Sequence, residues 1–187
     1  MLTHDFDFEL PKHLIAQTPL EKRENSKMLV LNKKTGEITH ARFTDFSEYT
    51  QNGDCAVFND TKVVYGRLAG KTAKNASVEI TLIKCVNGGL WEALVKPGKK
   101  MLVGETAIFA DGKLRCGVVD VLERGLRILN FVNTSGLDFF ELLQEYGKAP
   151  LPPYIKEELP NKERYQTVYA NAIGSAAAPT AGLHFTD

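Results

Sequence analysis

Regularly spaced strand-like runs between residues 62 and 133 constrain the fold more than any other feature of this sequence. Runs rich in β-branched and aromatic residues alternate with the turn sequences NGG, PGKK, ADG and ERG, at intervals of roughly ten residues. This spacing is typical of an all-β sandwich or a small barrel. Because free sheet edges invite aggregation, strands of this kind require closure. We therefore predict a β-barrel over about residues 62–133.

A short amphipathic helix is predicted directly after the barrel, over residues 138–147. Asp138 is a suitable N-cap, and Glu141 lies three residues further on, as in a capping box. Gly147 ends the helix. The apolar side chains fall on one face: Phe139, Leu142, Leu143 and Tyr146.

The segments that flank the barrel have mixed character. The pattern predicts a helix of two turns in ELPKHLIAQTPL, a β-hairpin with its turn at Gly36, and a short buried strand over Cys55–Phe58. The economical interpretation is an α/β plus β fold, in which a discontinuous α/β domain carries an inserted small β-barrel domain. We assign residues 1–61 and 148–187 to the α/β domain, and residues 62–147, including the trailing helix 138–147, to the barrel domain.

Charge is balanced over the 187 residues, with 23 basic and 23 acidic side chains, but it is not balanced locally. Residues 62–127 hold 12 basic and 6 acidic side chains, a net charge of +6, whereas residues 1–61 and 128–187 each have a net charge of −3. A basic block favours an anionic partner such as a nucleic acid. Lysines that protect solvated strand edges are the alternative explanation.

The composition is that of an ordinary soluble protein, with 43% hydrophobic and 25% charged residues and no apolar run long enough to span a membrane. The N-terminus is acidic where a signal peptide is basic, so we expect a cytoplasmic location and no membrane partner. Cys55, Cys85 and Cys116 lack the spacing of a disulfide framework or a zinc site. We therefore predict buried, reduced thiols and no metal.

Two polar motifs in the first third of the chain are candidates for a site. In DFDFELP, Asp5 and Asp7 share one face of an extended segment, either as solvated acids beside anchoring aromatic residues or as site carboxylates. In FNDTKV, Asn59, Asp60 and Thr61 either satisfy a turn through bonds to the backbone or bind a ribose or a base edge. The residues leave both alternatives open.

The C-terminal stretch APTAGLHFTD combines small residues with one titratable side chain in apolar company. Small residues allow the backbone to approach a ligand closely. His184, between Leu183 and Phe185, suits either a structural or a site role. Thr186 and Asp187 have the pattern of a helix N-cap and first turn.

Two further motifs have simple structural explanations. Tyr165 and Tyr169 lie four residues apart, as on one helical face, and would normally be core residues. The lysines of KPGKK fit either a solvated hairpin tip or a phosphate contact.

Six motifs in order, DFDFELP, VFNDTKV, WEALVKPGKK, PLPPYI, RYQTVYA and APTAGLHFT, resemble the S-adenosylmethionine:tRNA ribosyltransferase-isomerase family of queuosine biosynthesis. The resemblance extends over essentially all 187 residues. It implies an α/β domain with an inserted barrel. Because family members are much longer, it also implies that this chain corresponds to their N-terminal part, with the C-terminal part of the α/β domain missing.

The resemblance also implies a reaction. The ribosyl group of S-adenosylmethionine is transferred to 7-aminomethyl-7-deazaguanine at the tRNA wobble position and isomerised, which gives epoxyqueuosine and releases adenine and methionine. S-adenosylmethionine is then a co-substrate, no true cofactor is expected, and the partner is the tRNA, with a monomer favoured for the full-length family. The alternative function is a non-catalytic RNA-binding β-barrel module, and a structural barrel with an unrelated partner is a third.

Such a reaction requires a base for the ribose carbon that the sulfonium acidifies and a proton donor for the leaving adenine. The candidate catalytic residues are His184, Asp5, Asp7 and Asp60. The candidate substrate-binding residues are Asn59, Thr61, Tyr165, Gln166, Pro179, Thr180, Ala181, Gly182 and Phe185. The candidate tRNA-binding residues are Arg67, Lys96, Lys99 and Lys100.

Overall fold

A closed antiparallel β-barrel is the largest element of the fold, which a computed structural model describes for residues 2–187. The strands in chain order are β1 (Lys27–Leu31), β2 (Ile38–Arg42), β3 (Thr61–Val63), β4 (Arg67–Thr72), β5 (Ser77–Asn87), β6 (Leu90–Lys96), β7 (Thr106–Phe109), β8 (Leu114–Val121), β9 (Leu126–Asn133) and β10 (Ala172–Ser175). The α-helix found among the described residues is α1 (Phe139–Tyr146). None of the helices in this part of the chain is both long and apolar enough to cross a membrane.

The barrel contains six strands in the order β4-β5-β6-β9-β8-β7, and it closes where β4 pairs with β7. All neighbouring strands in it are antiparallel. Its interior is filled by alternate residues of each strand, as Val78, Ile80 and Leu82 of β5 illustrate. The predicted barrel is therefore confirmed.

Helix α1 covers part of the barrel core. It begins after Asp138, whose carboxylate accepts a hydrogen bond from the Phe140 N–H at 2.7 Å, and the Glu141 carboxylate accepts one from the Asp138 N–H at 3.0 Å. The Phe139 ring lies 5.6 Å from that of Trp91, between ring centroids, and Leu142 and Leu143 are buried in the barrel core. The predicted capping box and apolar face are confirmed.

The flanking segments form two small sheets and a second core. β1 and β2 form the predicted antiparallel hairpin, with Gly36 in the left-handed conformation at its turn. β3 and β10 pair in parallel, although they are separated in the chain by the whole barrel. The second core contains five buried residues: Val63, Tyr65, Ala149, Tyr165 and Ala178. The fold is thus of the α/β plus β class, with an inserted barrel.

Two predicted elements of the N-terminal segment are wrong. The two-turn helix is replaced by one 3-10 turn over Lys12–Leu14, because no residue from 11 to 20 is buried and a short helix without tertiary packing is marginal. The buried strand Cys55–Phe58 is an exposed coil with Val57 92% exposed, and the strand begins only at Thr61. An apolar run without pairing or cover on either face does not form a core strand.

Two smaller predictions are also wrong, and a third is right for one residue of three. The segment with Asp5 is not extended, because Thr3–Phe6 forms a 3-10 turn. Tyr165 and Tyr169 do not share a helical face, because the 3-10 helix Lys162–Tyr165 ends at the first of them. Of the three thiols, Cys116 is buried inside the barrel, whereas Cys55 lies in the uncovered coil and Cys85 on the exposed end of β5.

Candidate functional site: an aromatic cluster and a basic groove

Six ring-bearing side chains from four segments of the chain converge around Phe185. We call them the aromatic cluster: Phe43, Phe46, Phe58, Tyr169, His184 and Phe185. The Phe185 ring centroid lies 4.8 Å from that of Phe43 and 5.1 Å from that of Phe58. The His184 ring lies 5.4 Å from Phe43. The C-terminal motif thus meets the FNDT motif, as a shared site requires.

The cluster is open to solvent on one side. Phe58 is 49% exposed and Phe46 37% exposed, while His184 and Phe185 are half-buried. Aromatic faces stack planar rings and attract cations. The His184 imidazole adds two ring nitrogens that can accept or donate a hydrogen bond. The exposed parts of these rings therefore offer surface on which a planar ring or a cation can bind beside the His184 imidazole.

Gly182, in the small-residue stretch, packs closely against the Tyr169 side chain. A Cβ at this buried glycine would lie 2.1 Å from the Tyr169 hydroxyl oxygen and 2.9 Å from the Thr167 Cγ2 atom. The close backbone approach predicted here is therefore made to a protein side chain. The other members of the stretch are at least partly accessible: Pro179, Thr180 and Ala181.

Gln166 and Tyr165 hold β3 in place. The Gln166 side chain accepts a hydrogen bond from the Val63 N–H at 2.9 Å and donates one to the Val63 C=O at 2.8 Å. Tyr165 is buried in the second core, and burial raises the pKa of its hydroxyl. Thr167 follows with its hydroxyl buried and without a hydrogen-bond partner among residues 2–187.

Arg23 joins the two C-terminal motifs, and no sequence pattern singled it out. Its Nη1 atom donates to the Gln166 C=O at 2.7 Å and to the Leu183 C=O at 3.2 Å. Its Nη2 atom donates to the Glu163 C=O at 3.0 Å, and burial lowers the pKa of the guanidinium. Nothing in the local sequence distinguishes Arg23 from a surface residue. Phe43 and Phe46 were also missed, although their i, i+3 spacing was a usable signal.

Asn59 and Asp60 lie next to the aromatic cluster in the chain, whereas Asp5 and Asp7 are not connected to it. The Asn59 side chain accepts a hydrogen bond from the Thr61 N–H at 3.0 Å, so it closes the turn. The backbone carbonyl of Asp60 accepts hydrogen bonds from the N–H groups of residues 171 and 172. Asp60 itself is exposed and follows Phe58 and Asn59 in the coil. Asp5 and Asp7 are exposed, and no hydrogen bond among residues 2–187 connects their carboxylates to the aromatic cluster.

A groove of about 880 Å³ lies on the barrel surface. Four basic side chains line it, which we call the basic groove: Arg67, Lys71, Lys96 and Lys148. Arg67 is paired with Glu79 at 3.0 Å, Lys148 is paired with Glu158, and Asp111 also lines the groove, so much of the positive charge is neutralised. Lys99 and Lys100 are exposed on the adjoining 3-10 turn Gly98–Lys100. The structure thus brings Arg67 and Lys96 together and leaves Lys99 and Lys100 at the rim.

Within residues 2–187 no group of three or more histidine, cysteine or acidic side chains is arranged to hold a metal ion.

These features define an α/β protein with an inserted antiparallel barrel, an aromatic cluster and a basic groove. A family model described as queuosine biosynthesis protein matches residues 3–187, and the chain belongs to this family.

Two known proteins show how the chain compares with its relatives. The S-adenosylmethionine:tRNA ribosyltransferase-isomerase of Acetivibrio thermocellus is 49% identical over all 187 residues, which cover 54% of that protein. A crystal structure of S-adenosylmethionine tRNA ribosyltransferase from Thermotoga maritima is 38% identical, with a TM-score of 0.38, over 81% of this chain and 52% of that one. The chain therefore spans about half the length of the curated relative that it matches.

Proposed function

We propose that this chain contributes to an S-adenosylmethionine:tRNA ribosyltransferase-isomerase. The proposed reaction transfers the ribosyl group of S-adenosylmethionine to 7-aminomethyl-7-deazaguanine at the tRNA wobble position and isomerises it to epoxyqueuosine, with release of adenine and methionine. The observation that carries the proposal is the 49% identity, over the whole chain, to a protein of that name. The proposed tRNA substrate favours a cytoplasmic location, and we expect the full-length enzyme to act as a monomer.

The aromatic cluster is the proposed site for S-adenosylmethionine. Its partly exposed aromatic rings suit both the planar adenine and the positively charged sulfonium. His184 is the proposed group for one proton transfer, either from the ribose carbon beside the sulfonium or to the leaving adenine. Asp60 is a second candidate, because it lies two residues from Phe58 of the cluster. Asp5 and Asp7 remain candidates only if the N-terminal segment moves towards the cluster.

Some residues around the cluster are proposed to contact the substrate directly, and others are proposed to support the site without touching it. Phe185 and the accessible residues Pro179, Thr180 and Ala181 are proposed to contact the ligand. Gln166, Tyr165, Gly182, Asn59 and Thr61 are proposed to shape the site indirectly, since their polar atoms or surfaces are already used within the protein. We retain residues 1–61 and 148–187 as one proposed unit, which the β3–β10 pairing supports.

The basic groove and the adjoining lysines are the proposed tRNA contact. Lysine and arginine side chains contribute to RNA affinity mainly through the phosphates, so binding weakens as salt is added. The groove residues Arg67 and Lys96 and the turn residues Lys99 and Lys100 are the proposed phosphate ligands.

A chimera tests the proposal. Residues 1–187 replace the matching segment of the Acetivibrio thermocellus relative, and adenine release is measured with S-adenosylmethionine and precursor-modified tRNA. The expected result is release within about tenfold of the unaltered relative, because half of the side chains in the exchanged segment are already identical. A folded chimera that binds tRNA but releases no adenine would contradict the proposal.

The RNA-binding module is the second candidate, and the basic groove favours it. It predicts salt-dependent tRNA binding by residues 1–187 alone, together with a chimera that is folded and inactive. Absence of tRNA binding by both residues 1–187 and the folded chimera would contradict both functions and favour a structural barrel.

A further inference from the structure

Arg127 is a charged side chain on the inner side of the barrel wall. It lies on β9, where the buried positions are Arg127, Leu129 and Phe131, and it is only 7% exposed. No ion pair among residues 2–187 involves it, so no carboxylate neutralises its charge. A buried charge is tolerated only when its hydrogen-bonding groups are satisfied. Its partners therefore indicate its role.

Those partners are backbone carbonyl groups of two loops at one end of the barrel. The Arg127 Nε atom donates to the Met101 C=O at 3.1 Å, and Nη2 donates to the Gly98 C=O at 2.9 Å. Nη1 donates to the Gly125 C=O of the neighbouring turn. The carbonyls of Gly98 and Met101 lie immediately before and after Lys99–Lys100 in the chain. The guanidinium therefore holds both ends of the turn that carries these exposed lysines.

Gly98 lies directly against the Arg127 guanidinium. A Cβ added to Gly98 would lie 2.7 Å from the Arg127 Nη2 atom, so any larger residue would press on the guanidinium. Its φ angle is not in the left-handed region, so the backbone conformation alone does not call for a glycine here. The backbone at Gly98 and the Arg127 guanidinium therefore pack closely against each other.

We propose that Arg127 is a positioning residue that holds Lys99 and Lys100 in the geometry for binding RNA phosphates. The inference rests on the proposed tRNA contact and deepens it. Lysine side chains on a mobile loop lose conformational freedom when they bind a phosphate, and a fixed turn reduces that cost. The turn adjoins Lys96 and Pro97, which line the basic groove, so a phosphate backbone can follow groove and turn together. The buried charge of Arg127 adds to the positive potential below them.

Binding of an in vitro transcribed tRNA, measured by fluorescence anisotropy over a series of KCl concentrations, tests the inference. Arg127→Lys keeps the charge but replaces three donor nitrogens with one, so it cannot occupy the positions of Nε, Nη1 and Nη2 together. Gly98→Ala changes no charge at all. We expect both variants to bind at least about fivefold more weakly than the wild type at low salt. We also expect the slope of log affinity against log salt to become shallower by about 0.7–0.9 for each lysine that no longer binds a phosphate. The double variant Lys99→Ala/Lys100→Ala should lose tRNA affinity to the same extent as Arg127→Lys and Gly98→Ala.

Two matched controls separate positioning from charge and from general damage. Arg115→Gln removes an exposed charge from β8 of the same barrel, and Gly117→Ala adds a methyl group that meets only the Thr106 Cγ2 atom at 3.8 Å. Both should bind within about twofold of the wild type, since neither touches the turn. If Arg127→Lys fails to fold, Gly98→Ala still tests the inference, because it keeps Arg127 and its charge and alters only the contact between the guanidinium and the turn.

The outcomes are distinct. Wild-type affinity and salt slope in folded Arg127→Lys and Gly98→Ala would overturn the inference while leaving the tRNA contact intact. Unchanged binding by the double lysine variant would overturn it as well. A wild-type chain that binds no tRNA would overturn the proposed contact itself and the inference with it.

Discussion

The side chain of Gln166 forms both hydrogen bonds that a neighbouring strand would offer to Val63. Its Oε1 atom accepts from the Val63 N–H at 2.9 Å, and its Nε2 atom donates to the Val63 C=O at 2.8 Å. β10 pairs with the other edge of β3. The Gln166 amide thus satisfies the free edge of the three-residue strand β3. The same two bonds fix the position of the RYQTVYA motif relative to β3.

Replacing Gln166 with leucine should destabilise the protein by about 2–4 kcal/mol, because two buried backbone groups of Val63 lose their partners. The free energy of unfolding in urea provides the measurement. Gln144→Leu is the control: this exposed amide bonds only at the surface, so we expect a change below about 0.5 kcal/mol. A Gln166 variant as stable as the wild type would show that water replaces the amide at this edge.

Gly182→Ala should cost about 1–3 kcal/mol, because the new methyl group overlaps the Tyr169 hydroxyl. Tyr169→Phe removes the overlapping oxygen and should restore part of that stability in the double variant. Urea unfolding of the two single variants and the double variant measures this coupling. Additive effects would contradict the close approach of Gly182 to Tyr169.

Cys116 should remain unreactive when the protein is folded. Burial raises the pKa of its thiol from about 9 to about 12, whereas Cys55 and Cys85 are exposed. A thiol reagent at mildly alkaline pH should therefore label two thiols rapidly in the native protein and three after denaturation. Labelling of all three at one rate in the native state would contradict the barrel assignment.

The same pKa fixes a direction for the pH dependence of stability. The unfolded thiol loses its proton near pH 9 and the folded one only near pH 12, so the folded state binds the extra proton between these values. Stability should be complete below about pH 9 and decline as the pH rises towards 12. Cys116→Ala should remove this part of the decline.

Much of the fold could be predicted from the sequence because its signals are local. Turn residues at regular spacing marked the barrel strands, and Asp138 with Glu141 marked the start of α1. The Cys55–Phe58 run misled because hydrophobicity does not reveal whether a neighbouring strand is present. The short N-terminal helix failed for the same reason, since only tertiary packing stabilises two turns.

The candidate site was harder to predict, because long-range contacts create it. His184 and Phe185 stood out through their unusual surroundings in the sequence. Arg23 and Arg127 did not, because an arginine that binds backbone carbonyls far along the chain leaves no local pattern. Gln166 was selected as a substrate ligand, and its direct partner in the structure is the backbone of Val63.

The most direct test of the account is the effect of His184 on adenine release by the chimera. His184→Phe keeps an aromatic ring against Phe43 but cannot transfer a proton, and His40→Ala on the exposed strand β2 is the control. We predict that His184→Phe lowers the rate at least about tenfold while His40→Ala leaves it unchanged. A His184→Phe chimera that releases adenine at the unaltered rate would contradict the assignment of the aromatic cluster as the catalytic site.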